Sequence, residues 1–295
     1  MAMNPVQLHI LKHPDPTAQE RYDCLIGVDA QKDELLEYLL RVFDPARLGR
    51  WLKKHHPDGL HLAKRVGDRP PLVILGGEVG CGKTALATSI GSVVAKELDR
   101  RVVAVETPSD IRGGGLVGQL SERVTAAFKE ARIQVGQSCG ILIIDEADDL
   151  GTSRAQMQAH HEDRAGLNVL VKEIDRLARE RAHIAVVLVT NRLQALDPAL
   201  VRRAQVIRFV RPDAHARRAL FEQLLAGVDH DTKDIAALVR ASERKPPFSY
   251  SDLVERGAEA ALLASIRADE PFSVAALRSI IETLEPSPLI EDSRL

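Results

Sequence analysis

Eight consecutive residues combine glycines with a lysine and a threonine: Gly77-Glu78-Val79-Gly80-Cys81-Gly82-Lys83-Thr84. This is the spacing G-x-x-x-x-G-K-T, in which the glycines let backbone N–H groups turn towards a phosphate. The lysine offers a charge for the β- and γ-phosphates, and the threonine offers an oxygen for Mg²⁺. An apolar run precedes the segment and apolar residues at helical spacing follow it, so a chance glycine-rich turn explains the flanks poorly. The sequence predicts a phosphate-binding loop between a strand and a helix, here called the P-loop.

Two carboxylates, Asp145 and Glu146, end the apolar run that starts at Gly140. Ligands of parallel α/β sheets bind beyond the carboxyl ends of the strands, so we expect both side chains beside the P-loop. Asp145 can hold Mg²⁺ through water, and Glu146 can orient an attacking water. Asn191 follows the apolar run 184–189 and could hydrogen-bond the γ-phosphate and that water. The alternative is that the two acids only cap a helix.

Composition limits the class of protein. The chain has 295 residues, 45% of them hydrophobic, and a formal net charge of −2. A near-neutral balance argues against a protein that coats nucleic acid. The cysteines Cys24, Cys81 and Cys139 form no metal or disulfide pattern, which favours a reducing, cytoplasmic location. No apolar run reaches the length of a membrane span, so we expect no membrane association. Cys81 is interpreted as a small filler residue, with redox control of the P-loop as the alternative.

The order of elements predicts an α/β fold. Strands are expected over 72–75, 101–105, 140–144, 184–189 and 206–210, and helices alternate with them. From Arg211 onward only helical patterns occur. We therefore predict a P-loop NTPase with a five-stranded parallel sheet flanked by helices, followed by a small four-helix lid domain. The predicted division is an N-terminal arm (1–20), a large ATPase domain (21–210), a helical lid (211–285) and a tail (286–295). The basic segment 47–56 is interpreted as a solvated helix with Trp51 in the core, and a binding patch is the alternative.

These motifs together resemble the AAA+ ATPases over about residues 21–285. The P-loop corresponds to Walker A, Ile141–Glu146 to Walker B and Asn191 to sensor 1. The segment 196–203 resembles the one that carries arginine fingers, so Arg202 and Arg203 are candidates for reaching the γ-phosphate of the neighbouring subunit. A finger supplied by a neighbour implies a homo-oligomeric ring, usually a hexamer. The resemblance also implies that ATP and Mg²⁺ bind between the large domain and the lid.

The same resemblance places three further segments. Ile26 and Gly27 correspond to the loop that packs on adenine. Leu116-Val117-Gly118 corresponds to the pore loop that grips a threaded polypeptide, with leucine in place of the family's aromatic residue. Ser251 stands where many members carry a sensor 2 arginine, and Arg256 lies one turn further on.

A narrower resemblance is to the HORMA-domain remodelling ATPases of the pachytene-checkpoint type and their short bacterial relatives in anti-phage (CBASS) operons. It rests on Val201-Arg202-Arg203-Ala204 before the last strand, and on a short arm in place of an N-terminal substrate domain. It implies an ATP-driven remodeller that engages a HORMA-domain protein, which can be bound to a nucleotidyltransferase, through its central pore.

Two other classes stay open. One is a nucleic-acid-associated loader, initiator or transposition helper, although the sequence has no helix-turn-helix appendix and no basic excess. The other is a scaffold that binds ATP without hydrolysing it, although Glu146, Asn191 and Arg203 are all present.

Overall fold

The computed structural model describes residues 8–67, 69–108, 119–149 and 161–289. The segment Leu116-Val117-Gly118, predicted to be a pore loop, lies outside these residues.

The described residues form one mixed sheet surrounded by helices. The strands are β1 (His9–His13), β2 (Leu72–Gly77), β3 (Val102–Glu106), β4 (Cys139–Ile144), β5 (Ile184–Thr190) and β6 (Gln205–Phe209). The helices up to the end of the sheet are α1 (Pro16–Asp23), α2 (Asp29–Phe43), α3 (Ala46–His55), α4 (His61–Gly67), α5 (Lys83–Leu98), α6 (Gln119–Val135), α7 (His161–Glu180) and α8 (Pro198–Val201). The later helices are α9 (Ala214–Leu224), α10 (Thr232–Ala241), α11 (Ala260–Ala268), which continues a π-helical segment (Asp252–Glu259), and α12 (Val274–Thr283).

The sheet has six strands in the order β1-β3-β4-β5-β2-β6, one more than the sequence predicts. The pairs β3–β4, β4–β5 and β5–β2 are parallel, as expected. The additional strand is β1, which pairs antiparallel with β3 from His9 opposite Glu106 to His13 opposite Val102. The prolines of the arm (1–20) predict extended backbone, and over His9–His13 that backbone satisfies its N–H and C=O groups on the edge of β3. The prediction was wrong from Pro16 onward, where a proline in the first turn begins α1.

The central strands are continuous apolar runs because helices cover both faces of a parallel sheet. Every residue of β4 and β5 is buried. Large side chains of α6 and α7, including Phe128 and Leu170, pack with Leu142, Val186 and Leu188 in one cluster. This packing fixes the strand ends at which the predicted catalytic side chains lie.

The chain divides into two compact units. The sheet unit contains residues 1–24, 30–76 and 84–208, and the helical unit contains 25–29, 77–83 and 209–295. The helical unit has its own core, in which Phe221, Leu238, Phe248, Leu253 and Ile281 are completely or almost completely buried.

Polar side chains begin helices of the helical unit, as the position of Asp213, Ser249 and Ser273 ahead of apolar helical patterns predicts. Asp213 caps α9 and Ser273 caps α12, each by accepting a backbone N–H. The spacing Ser249-x-x-Asp252 predicts a reciprocal pair, and each side chain does accept the backbone N–H of the other residue.

Trp51 is not in the core, and the interpretation of that residue was wrong. Its exposure is 45%, and α3 has no buried residue. The indole instead lies beside the rings of His55 and His56, with centroids 5.5 and 5.0 Å away. Among the described residues, no helix combines the length and the apolar character needed to cross a membrane.

Candidate nucleotide site

The P-loop backbone takes conformations that favour glycine. Gly77, Gly80 and Gly82 have φ angles of +141°, +69° and +88°. A Cβ atom at Gly77 would lie 2.0 Å from the carbonyl oxygen of Phe209, and one at Gly80 would lie 2.8 Å from Cβ of Ser251. The carbonyl of Gly80 also accepts the Ser251 N–H at 3.1 Å. The glycines are therefore required both by backbone angle and by close packing.

Lys83 begins α5 and is only 5% exposed. Its ammonium donates to the carbonyl oxygens of Gly77 at 2.9 Å and Glu78 at 2.5 Å. The ammonium is thus held inside the curve of the loop at the positive end of a helix, an arrangement that suits a phosphate.

Cys81 and Val79 occupy the two other variable positions of the loop. Burial raises the pKa of the Cys81 thiol to about 11, and the side chain is 1% exposed. The thiol therefore stays protonated at neutral pH, which fits a filler residue better than a redox sensor. Val79 is 48% exposed.

Thr84 and Asp145 meet directly in the sheet unit. Thr84 Oγ1 donates to Asp145 Oδ2 at 2.8 Å. The other carboxylate oxygen of Asp145 accepts the backbone N–H of Glu146 at 2.8 Å. Glu146 has a φ of +51°, which turns the chain sharply after β4, and its side chain is exposed.

The end of β5 carries a second polar group. Thr190 Oγ1 donates to Asp148 Oδ1 at 2.7 Å and accepts the backbone N–H of Arg192 at 2.9 Å. These bonds fix the turn that contains the exposed Asn191. Asp148 was not predicted as a site residue, although it stands two residues after the acidic pair at the end of β4.

Arg202 and Arg203 follow α8, which begins with Asp197 as its N-cap. Both arginines are exposed. Arg203 donates to the carbonyl oxygen of Ala199 at 3.0 Å, and its Nε lies 3.8 Å from Asp175 Oδ1. An exposed pair of this kind is weak, so the guanidinium is free to exchange partners at little cost.

Ile26 and Gly27 lie in the helical unit. Gly27 has a φ of +70°, and a Cβ atom there would lie 2.1 Å from the Tyr250 hydroxyl oxygen. The phenol is partly buried, and this burial raises the pKa of Tyr250 to about 12. Ile26 is partly exposed.

Arg256, which lies one turn beyond Ser251, is bonded within the helical unit. Its Nη1 donates to Asp252 Oδ1 at 2.6 Å and to Ser287 Oγ at 3.2 Å. Burial opposes ionisation of Asp252, but hydrogen bonds from Ser287 and Ser249 outweigh it and lower its pKa to about 2. Ser251 Oγ donates to Glu255 at 2.7 Å.

The polar groups suit Mg²⁺ bound together with phosphates. Within the described ranges, no group of three or more His, Cys, Asp or Glu side chains could hold a metal ion alone. The Thr84–Asp145 contact nevertheless brings a hydroxyl and a carboxylate oxygen within 2.8 Å. Mg²⁺ commonly binds one or two carboxylates together with waters and substrate phosphates. The Thr84 hydroxyl and the Asp145 carboxylate are suitable ligands for such an ion.

Comparison with known proteins identifies the family. Residues 73–212 match the model of the ATPase family associated with various cellular activities (AAA). CD-NTase-associated protein 6 of Escherichia coli strain MS 115-1 is 36% identical over 96% of this chain and 95% of its own length. The chain belongs to the AAA ATPases. The family predicted from the sequence is confirmed, and this AAA ATPase therefore binds and hydrolyses a nucleotide.

Two solved structures resemble this AAA ATPase along nearly its whole length. A chain in the E. coli MS115-1 HORMA:CdnC:Trip13 complex matches with a TM-score of 0.89 at 36% identity, covering 96% of both chains. Rhizobiales Trip13 matches with a TM-score of 0.75 at 32% identity, covering 95% of this chain and 98% of the other. The predicted α/β fold of a P-loop NTPase is confirmed.

Proposed function

We propose that this AAA ATPase is a protein remodeller that engages a HORMA-domain protein and disassembles its complex with a nucleotidyltransferase in a bacterial anti-phage signalling system. The likeness to a chain of the HORMA:CdnC:Trip13 complex carries this proposal, because it extends over 96% of both chains. A likeness of that extent covers the segments that could contact a partner as well as the nucleotide site.

The proposed chemistry is transfer of the γ-phosphoryl group of ATP to water. Lys83 and the P-loop (Gly77, Glu78, Val79, Gly80, Cys81, Gly82) surround the phosphates, which accept from the lysine and from the loop's N–H groups other than that of Glu78, and Ile26 and Gly27 contact the adenine. Thr84 and Asp145 would hold Mg²⁺, which neutralises phosphate charge when bound. Glu146 accepts a proton from the attacking water, and Asn191 orients that water. Positioning and charge neutralisation dominate such a reaction.

The proposed site is complete only in an oligomer. Arg203, with Arg202 as the second candidate, approaches the γ-phosphate bound by a neighbouring subunit in a homohexameric ring. The exposure of both side chains and the weak Asp175 contact support this role. Leu116-Val117-Gly118 grips the partner's flexible end in the central pore. The free cysteines of the described residues support a cytoplasmic location.

The test measures ATPase rate and complex disassembly together. The purified chain is mixed with the HORMA-domain protein and the nucleotidyltransferase encoded by neighbouring genes, with ATP and Mg²⁺. We expect the HORMA-domain protein to raise the ATPase rate and gel filtration to show the complex falling apart. Leu116→Ala should abolish both effects while keeping the basal rate.

Either of two results would contradict the proposal and favour another class of protein. Stimulation by single- or double-stranded DNA alone would move the protein to the loaders, initiators and transposition helpers. Disassembly that proceeds unchanged with Glu146→Gln would indicate a scaffold that needs bound ATP but no hydrolysis.

A further inference from the structure

Arg211 is a buried arginine that no motif predicted. It stands between β6 and α9, and its side chain is 4% exposed. Its Nε and Nη2 each lie 3.3 Å from Glu78 Oε2. Nη1 donates to the carbonyl oxygens of Pro247 at 2.6 Å and Ser287 at 2.8 Å, and Nη2 donates to that of Pro288 at 2.7 Å. These five contacts match the five N–H groups of a guanidinium.

The partner carboxylate belongs to the P-loop itself. Glu78 is the second residue of the motif and is 7% exposed. Its backbone N–H donates to the Phe209 carbonyl at 3.2 Å, and its backbone carbonyl accepts the Lys83 ammonium at 2.5 Å. The residue is therefore held by its N–H, its carbonyl and its side chain, and one of these contacts is to the lysine that faces the phosphates.

A carboxylate at this position creates an electrostatic problem. A negative side chain in a loop that receives a triphosphate repels the ligand, and a buried carboxylate without a partner is costly. Arg211 offsets both effects, since it places one positive charge 3.3 Å from Glu78 Oε2. Three carbonyl oxygens hold the arginine in that place.

We propose that Arg211 is a positioning residue for nucleotide binding that acts through Glu78. It cancels the Glu78 charge and keeps the P-loop backbone in the conformation that receives phosphates. The inference rests on the proposed ATPase chemistry of the P-loop. The carbonyls of Ser287 and Pro288 share the guanidinium and help to hold it against Glu78.

Four proteins test the inference as a double-mutant cycle: wild type, Glu78→Gln, Arg211→Met and the double variant. Arg217→Met is the matched control. Arg217 is another buried arginine of the same unit, 7% exposed, but it bonds Ser242 Oγ and the Pro212 carbonyl instead of the P-loop. Each protein is measured for the Kd of a fluorescent ATP analogue, for KM and kcat of ATP hydrolysis, and for thermal unfolding without nucleotide.

We expect Arg211→Met to raise both the Kd and KM by about tenfold or more, with a smaller change in kcat, because it removes the positive charge that lies against Glu78 in the P-loop. Glu78→Gln should bind ATP as well as wild type or better. The double variant should recover to within about threefold of the wild-type Kd, since the charge and its partner are removed together. Arg217→Met should lower the melting temperature without changing KM.

The inference is overturned if the double variant binds ATP as poorly as Arg211→Met, which would mean that Arg211 acts on the nucleotide directly or only on folding. It is also overturned if folded Arg211→Met keeps the wild-type KM. Should Arg211→Met fail to fold, Arg211→Lys replaces it. Lysine keeps the positive charge beside Glu78 with fewer donors, so the Kd of Arg211→Lys should rise by no more than about threefold, and a larger rise that Glu78→Gln does not reduce would overturn the inference. A wild-type protein that binds no ATP would instead reject the proposed function.

Discussion

The hydroxyl of Thr84 donates a hydrogen bond to the carboxylate of Asp145 at 2.8 Å, across 61 positions of sequence. One residue begins the helix after the P-loop, and the other follows the central strand β4. Their contact brings the two oxygen ligands expected for Mg²⁺ to the same point.

Thr84→Ala should lower kcat by about two orders of magnitude, because a bound metal ion contributes several kcal/mol of charge stabilisation. Thr84→Ser keeps the hydroxyl and should retain most of the activity. Titration of ATPase activity with Mg²⁺ separates the variants, since Thr84→Ala should need more Mg²⁺ for half-maximal rate. Equal Mg²⁺ dependence of the three proteins would contradict a role in holding the metal.

Glu146→Gln should retain ATP binding and lose hydrolysis by about 10²–10⁴-fold, the usual contribution of a general base. We expect little change in folding, because the Glu146 side chain is exposed. The contact of this residue with Asp145 is made by its backbone N–H, which the substitution keeps. Single-turnover hydrolysis measures the chemical step, and Glu97→Gln, an exposed acid on α5, is the control. A variant that hydrolyses ATP at the wild-type rate would remove Glu146 from the mechanism.

Arg203→Ala should lower kcat by about 10³-fold if the side chain acts as an arginine finger. Mixing it with Glu146→Gln should restore part of the activity, because some sites then combine an intact Glu146 with an intact Arg203 from a neighbour. Asp175→Ala, which removes the exposed ion pair at 3.8 Å, should change little. Failure of the mixture to recover, with both variants assembled, would argue against a finger supplied by another subunit.

Gly80→Ala should destabilise the helical unit and weaken ATP binding. The left-handed φ of +69° costs about 1–2 kcal/mol for alanine. The Cβ atom would also lie 2.8 Å from Ser251 Cβ and 2.9 Å from Ser249 Oγ, which adds about 1–3 kcal/mol of overpacking. Gly227→Ala is the control, with a φ of +87° and nothing within 4 Å. Urea unfolding should show the larger loss for Gly80→Ala.

Stability should fall below about pH 6.5 because of His13. Burial lowers the pKa of this imidazole from 6.5, although the charge of Asp15 partly opposes the shift. Its Nδ1 lies 2.9 Å from Ser92 Oγ, and its Nε2 is buried without a partner among the described residues.

The unfolded chain takes up a proton near pH 6.5, while the folded chain resists it. Stability is therefore complete above that pH and is lost as the pH falls towards the lowered folded pKa. Urea unfolding at pH 7 and 5.5 measures the loss, which should shrink in His13→Gln. The exposed His215 provides the control substitution, His215→Gln, which should leave the difference unchanged.

The sequence predicts most of the sheet because β2, β4 and β5 are short, continuous apolar runs. Such runs are typical of strands that are buried on both faces of a parallel sheet. The P-loop is equally predictable, since its chemistry is local and its spacing is fixed. Helix starts at Asp213, Ser249 and Ser273 follow from short-range hydrogen bonds for the same reason.

Long-range contacts account for what the sequence did not predict. The residues of β1 have no strong apolar alternation, so the sequence does not predict a strand. They form one because their backbone hydrogen-bonds to the edge of β3. Arg211 stands in a short polar segment that matches no motif. Its partners Glu78, Pro247 and Ser287 are distant in sequence, so its contacts are visible only in the folded structure. Trp51 was predicted to be buried because tryptophan side chains are usually well buried. Helix α3, however, has no buried residue.

The antiparallel attachment of β1 also bears on solubility. An uncovered β3 would present a row of free N–H and C=O groups over Val102–Glu106, where all but the last residue are apolar. Such a row is a template on which a strand of another molecule can add, the first step of aggregation. By occupying it, residues His9–His13 replace this apolar edge with one that carries the exposed Lys12, a charged residue of the kind that disfavours the addition of a further strand.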